Sequence, residues 1–509
     1  MAIWGIPVWT FNPLLWQRRS HQVDFMRACR DLGTCRKQFV HPASLCLSTL
    51  FALVPLAAFG ATEAATSSHA LALAAGYKAA FLCSGVFDAG QTEDAVTADD
   101  LEGIYPEYQA AVRTLTARID PVAKTVSVPF DAHLPPRIAA WRPGLGCAQL
   151  PIGAAADAIK TLPGLDGRPP SGDADARLWP DGDREAVAVL PAEPASRIDS
   201  TVARAFEPAA YGAGDKTTAV VVVKDGHIVA ERYRHGYDLH TPQRTWSAAK
   251  SLTATLLGRA VALHLLTIDA PARVPEWERP GDPRAAITLA ELMHMSSGLF
   301  TNGPGNRTDE IYLGGGAVTQ VATSVPLEAV PGTRFRYAND DVMLAARALR
   351  AEIGDDQRAL AFPFEELLWR IGMYHTTPET DWQGNYILSS QVWSTARDLA
   401  RLGLLYLDDG MWNGERLLPA GWVQFVATPA PVQPASAATG GPGYGALFWL
   451  FGARQGLPDG TYAMVGNRGQ YVFIVPARRM VVVRRGFDAD GGTRFDAAAF
   501  VHDVIAAAD

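Results

Sequence analysis

"RTWSAAKSLTATLLGRAV", Arg244–Val261, places one serine three residues ahead of one lysine where an apolar-patterned run begins. The run reads as a helix, so Ser247 and Lys250 share one face with their side chains near each other. A serine hydroxyl is a poor nucleophile until a neighbour takes its proton. A lysine takes that proton only as a neutral amine, which needs a dry setting or nearby positive potential. The helix start supplies some potential, and Trp246 with the apolar turn supplies dryness. Alone, the pair is a weak signal: S-x-x-K arises by chance about once or twice in a chain this long, mostly on solvated helix surfaces. Lysine is scarce here, however, and Lys250 is the last one in the chain.

A third group stands in "GTRFRYANDDVML", where Tyr337-Ala-Asn339 joins an extended stretch to a helix starting near Asp340. A phenol beside a lysine can shuttle a proton between nucleophile and leaving group. The Asn339 carboxamide can donate to a substrate carbonyl and hold the lysine. Singly, Asn339 reads as a helix N-cap and Tyr337 as a half-buried core residue. A fourth piece is "VGNRGQYVFIV": Gly466 and Gly469 flank Asn467-Arg468 before a strand, where glycine lets backbone approach a ligand. A backbone N–H on such an edge could face a developing oxyanion.

Working outward, "TTAVVVVKDGHIVAERY" sets two β-branched runs around Lys224-Asp225-Gly226, a hairpin signal. "PASRIDSTVARAFEP" before it has helical spacing. "GALFWLF" and "GQYVFIVPARRMVVVRRG" read as three more strands, with Pro476-Ala-Arg-Arg as a turn, and "RFDAAAFVHDVIAAA" as a closing helix. Strands at both ends with helices between predict an α+β fold, an antiparallel sheet covered by helices. Ile287 to Trp422 reads as mainly helical with long loops such as "FTNGPGNRTDEIYLGGG" that could wall a site. No G-x-S-x-G elbow and no Gly-Lys phosphate loop is present. His294 in "LMHMSSGL" reads as structural, at a helix end.

The order of these features resembles the serine β-lactamase and penicillin-binding superfamily. "WSAAKS", "LMHMSSGL", "PGTRFRYAND", "STARDLARLGLLYL" and "GNRGQY" are most similar to its class C β-lactamase-type branch, which includes esterases and 6-aminohexanoate-dimer hydrolases. The resemblance implies a β-lactamase/transpeptidase-like fold, a five-stranded antiparallel sheet flanked by helices plus a helical subdomain. It implies Ser247 as nucleophile, Lys250 as proton acceptor and Tyr337 as the second proton-transfer group. Asn339, Asn467, Gly469 and Gln470 fall at substrate-binding or oxyanion positions, with the N–H groups of Ser247 and Gln470 as the implied donors. One departure stands out. The Lys-Thr-Gly of β-lactamases has no counterpart, because no lysine follows Lys250, and Asn467-Arg468-Gly469 occupies its place. Arg468 meets an anionic substrate group or points to solvent. Branches without that lysine tend to act on esters or linear amides, so the expectation is acyl-enzyme hydrolysis of such a small molecule. A β-lactam-reactive enzyme and a non-catalytic cell-envelope binding domain are the competing readings.

The chain has 509 residues, 48% hydrophobic, and a net charge of −8 without a basic block, which disfavours nucleic acid as partner. No CxxC, metal-like Cys/His cluster or HExxH occurs, so a metal site has no support in the sequence, and no cofactor is expected. Basic residues Arg27, Arg30, Arg36 and Lys37 precede "LCLSTLFALVPLAAFGA", Leu45 to Ala61, and small residues follow. That pattern reads as a secretory signal, giving a secreted or periplasmic protein; a membrane anchor is the alternative, though the run falls short of the roughly 20 residues a span needs. Met26 is a candidate start. Cys29, Cys35 and Cys46 fall in this leader, leaving Cys83 and Cys147 as one disulfide or two buried thiols. The expected division is a leader over 1–65, an accessory region of unassigned role over 66–162, a linker over 163–195 and the hydrolase domain over 196–509.

Overall fold

A computed structural model describes residues 67–167, 172–184, 190–301, 308–490, 492 and 494–509. The signal-like segment, with Met26 and three of the cysteines, lies outside them, as do parts of the expected linker and of the 300–316 loop. Residues Ala65–Asp509 form one compact unit.

The described chain opens with helix α1, Ser68–Phe87, whose start the Ser67 hydroxyl caps. By length and composition α1 could cross a membrane, but 67% of its apolar window is buried inside the fold, as in a core helix. Four antiparallel strands lie against it: β1 (Arg118–Asp120), β2 (Thr125–Val128), β3 (Arg137–Arg142) and β4 (Gly146–Gln149). A disulfide between Cys83 on α1 and Cys147 on β4 decides between the two cysteine readings.

Helix α2 (Ala192–Arg204) precedes the hairpin of β5 (Thr217–Lys224) and β6 (His227–Tyr233). Asp225 and Gly226 turn it with φ of 50° and 85°, the left-handed pair that a two-residue hairpin turn requires. Helices α3 (Ala249–Ala262), α4 (Asn339–Ile353) and α5 (Ala396–Leu407) follow. Then come β7 (Gly443–Tyr444), β8 (Trp449–Phe451), β9 (Thr461–Gly466), β10 (Gln470–Val475), β11 (Met480–Gly486) and α6 (Ala497–Ala508). The main sheet has the order β7-β8-β9-β10-β11-β5-β6, all antiparallel. It therefore has seven strands where five were expected. The additions are β7, two residues long, and β9, whose "TYAMVG" lacks a β-branched run.

The unbroken valines of β5 follow from burial on both faces. Val221 and Val223 join the larger core with α3 and α5, while Val220 and Val222 join a second one under α2 and α6. Gly403 lets α5 lie close against the neighbouring strand β11, since an added Cβ would lie 2.5 Å from Val481. The described linker residues lie on the same body: Arg401 of α5 donates to the carbonyls of Pro180 and Gly182 at 2.7 Å each.

Candidate active site

Trp246 enters the nucleophile turn with φ of 50°, a conformation bulky residues rarely adopt. Packing holds it there. The Arg244 guanidinium lies 4.4 Å from its ring, and Phe81 of α1 and Tyr105 lie at 5.6 and 6.4 Å. A single 3₁₀ turn, Trp246–Ala248, then leads into α3 and leaves Ser247 half-buried. Three residues on, Lys250 is 1% exposed, and its Nζ reaches three oxygens: Ser247 Oγ at 3.0 Å, Asn339 Oδ1 at 2.6 Å and the Ser389 carbonyl at 2.8 Å. Burial pushes the amine down to about 7. A neutral amine has two N–H donors and one lone pair. The amide and carbonyl oxygens take the two donors, which leaves the lone pair for the Ser247 proton.

Tyr337 comes from the extended stretch before α4, and its phenol hydrogen-bonds with Ser247. Its ring lies 4.9 Å from Lys250 Nζ. Burial raises the phenol far above its ordinary range, against the pull of the Ser247 hydrogen bond, so it stays protonated. The ring packs on Trp449 at 5.7 Å and edge-on to Tyr444 at 6.0 Å, so β7 and β8 give the site an aromatic wall. Asn339 opens α4 but is no N-cap there; its oxygen is spent on Lys250.

Strand β8 pairs with β9 over Thr461–Ala463, and Met464–Gly466 run on past it toward the nucleophile turn. An added Cβ on Gly466 would lie 2.2 Å from the Thr245 carbonyl oxygen and 3.2 Å from Ala248 N. Gly466 is thus the residue through which the sheet closes on the turn, and Asn467 follows it, half-buried, with its amide 3.4 Å from Asp490.

The other expected members of this loop are placed differently. Gln470 begins β10, an internal strand, and its buried carboxamide accepts from Arg485 Nε at 2.7 Å and donates to the Gly486 carbonyl at 2.6 Å. Gly469 has φ of 85°, and an added Cβ would lie 1.8 Å from Arg484, which binds Asp488; its glycine serves that ion pair. Arg468 neither meets a substrate nor points to solvent. It is 4% exposed and donates to the carbonyls of Asp99, Asp100, Glu102 and Asp488.

Sequence reasoning missed Ser389. Its role is played by a carbonyl, which every residue has, and its hydroxyl is tied to Tyr312 at 2.5 Å. His294 caps a short helix and packs on Phe425 at 5.3 Å. Two buried carboxyls begin α4: burial pushes Asp340 up to about 7 and also raises Asp341, which accepts from Ser297 Oγ at 2.7 Å.

The beta-lactamase family model matches residues 202–485, more than half of the chain. The 6-aminohexanoate-dimer hydrolase of Paenarthrobacter ureafaciens is 25% identical over 336 residues, which cover 60% of this chain and 81% of that protein. Two solved structures share the fold. A Bacteroides dorei protein assigned as a beta-lactamase is 21% identical, with a TM-score of 0.50 over 61% of this chain and 97% of its own. EstCE1, a hydrolase with promiscuous acyltransferase activity, is 15% identical, with a TM-score of 0.50 over 62% and 98%. With the serine, lysine and tyrosine assembled inside the matched span, the chain belongs to the beta-lactamase family of serine hydrolases.

Proposed function

We propose that this chain cleaves an ester or a linear amide of a small molecule through an acyl-enzyme on Ser247. The observation that carries the reading is the Lys250 amine, buried among three oxygens and lowered to about 7 by burial alone. Neutral Lys250 takes the Ser247 proton as Oγ attacks the carbonyl carbon. The oxyanion is stabilised by the Ser247 N–H and by the N–H of Asn467, which the approach of Gly466 supports over Gln470. As the carbon–leaving group bond breaks, Tyr337 gives its proton to the departing oxygen or nitrogen and regains one from Lys250. Water then attacks the acyl carbon, its proton passes to the same pair, and the acid leaves.

The substrate class rests on charge. The "GNRGQ" loop holds one basic residue, Arg468, and it is spent on backbone carbonyls. A β-lactam carboxylate would find no cation on that strand end. The relative's name adds a linear amide of 6-aminohexanoate to the candidates. The disulfide supports export to an oxidising compartment, secreted or periplasmic.

The test is a panel on one preparation: activated short-chain esters, the 6-aminohexanoate dimer and a chromogenic cephalosporin. Turnover of an ester or the dimer, lost in Ser247→Ala, is expected. Cephalosporin turnover above both would overturn the substrate class, and no turnover of any of the three would overturn the reading.

A further inference from the structure

Away from the catalytic serine, four side chains from separate stretches converge at one spot. Asp175 and Asp183 lie in the linker, His240 in the loop after β6, and His375 before Val392–Ser394. His375 Nε2 is 3.0 and 3.1 Å from the two Asp175 carboxylate oxygens. His240 Nε2 is 3.0 Å from Asp183 Oδ2 and 3.5 Å from Asp175 Oδ2. One donor atom from each of the four lies within 4.8 Å of all the others. The imidazole rings stack with centroids 4.5 Å apart and 27° between planes, so both Nε2 atoms face the carboxylates from one side.

Two hydrogen-bonded His–Asp pairs are the simpler account of any one contact. They leave Asp175 short of a cation: two stacked imidazolium rings repel, and with both rings neutral only Asp183 keeps one, from Arg397 and Arg401. Around a tetrahedral zinc with bonds near 2.0–2.2 Å, ligand atoms sit about 3.4 Å apart, close to the 3.0–3.5 Å of the three His–Asp contacts, and the remaining pairs lie within 4.8 Å. Two imidazoles and two carboxylates are ordinary ligands for it. Asp183 is further prepared. Its other oxygen, Oδ1, accepts from Arg401 Nη2 at 2.8 Å and Arg397 Nη1 at 3.2 Å, which orients the carboxylate and leaves Oδ2 for a metal. Asp175 and His240 are part-exposed, so an ion has a path in.

We propose that Asp175, Asp183, His240 and His375 form a structural zinc site that staples the linker to the catalytic body. The ligands come from three stretches of chain with no fixed spacing, which is why no metal motif shows in the sequence. The site is independent of the ester or amide reading.

The test uses the full chain, stripped with a chelator and titrated with Zn²⁺ by calorimetry at neutral pH. One equivalent is expected, with a rise in Tm, and with the visible bands of a tetrahedral site when Co²⁺ replaces Zn²⁺. His240→Ala and, separately, Asp175→Asn should weaken binding at least tenfold. Both positions are part-exposed and outside the catalytic machinery, and unchanged circular dichroism shows that each variant is folded. No saturable binding to the folded chain, or equal affinity in the parent and both variants, would overturn the site and leave two ordinary ion pairs.

Discussion

On the proposed mechanism the chemistry turns on Lys250, and pH reads its state. Because burial lowers the amine to about 7, activity should rise with pH through a midpoint near 7 as the proton leaves. Asp340, raised to about 7, titrates in the same range at the start of α4. Asp340→Asn should leave the midpoint in place; a profile that flattens in that variant would move the limb to the carboxyl. Lys250→Arg keeps a cation but cannot give a neutral base at any working pH, so kcat should fall by about 10³ or more with no recovery at high pH. Tyr337→Phe should lower kcat by about 10²–10⁴ with little change in stability. These side chains were legible because S-x-x-K and Y-x-N are local spacings. The surroundings of Arg468, Gly469 and Gln470 were not legible for the same reason. Their partners, Asp99–Glu102, Arg484–Asp488 and Arg485, are distant in sequence or lie on another strand, and nothing local marks them.

Among the elements, the end of β9 and helix α1 both pack on the turn that carries Ser247. Gly466→Ala would drive a methyl group into the Thr245 carbonyl and displace the oxyanion donors, so kcat should fall by about 10²–10³ while KM changes less. Phe81 is 1% exposed and packs on both Trp246 and Trp393. Phe81→Ala should cost about 3–5 kcal/mol and also lower kcat, because Trp246 would lose a contact that holds its left-handed backbone. Denaturant melts and single-turnover kinetics separate the two effects. The hairpin of β5 and β6 was legible from Lys224-Asp225-Gly226 because a turn and its flanking strands are neighbours in sequence. Strand β9 was not, since its six residues carry no alternation and only pairing with β8 and β10 makes them a strand. The role of the region before the linker was likewise closed to sequence reading, because Phe81 and Trp246 meet only in the fold.

At the scale of the molecule, the first described stretch and the catalytic body share one core, tied by buried polar groups. Asp88 and Glu379 are neighbouring carboxyls, and burial opposes the ionisation of both. Glu379 accepts from Ser84 Oγ at 2.5 Å and the Cys147 N–H at 3.0 Å. Carboxyls raised in the folded state bind protons that the unfolded chain has released, so their contribution falls as pH rises above about 4. Glu379→Gln, a neutral mimic, should therefore be relatively more stable at pH 8 than at pH 5, read from paired urea melts. The Cys83–Cys147 bridge closes a separation of 64 residues, and on chain entropy its reduction should cost about 4 kcal/mol. On the proposed mechanism Ser247 Oγ is the oxygen that becomes acylated, and labelling reads it directly. Intact mass and peptide mapping after treatment with a fluorophosphonate should show a single adduct, on the peptide carrying Ser247, that is absent from Ser247→Ala. An adduct at any other residue, or ester turnover in Ser247→Ala at the parent rate, would contradict the account.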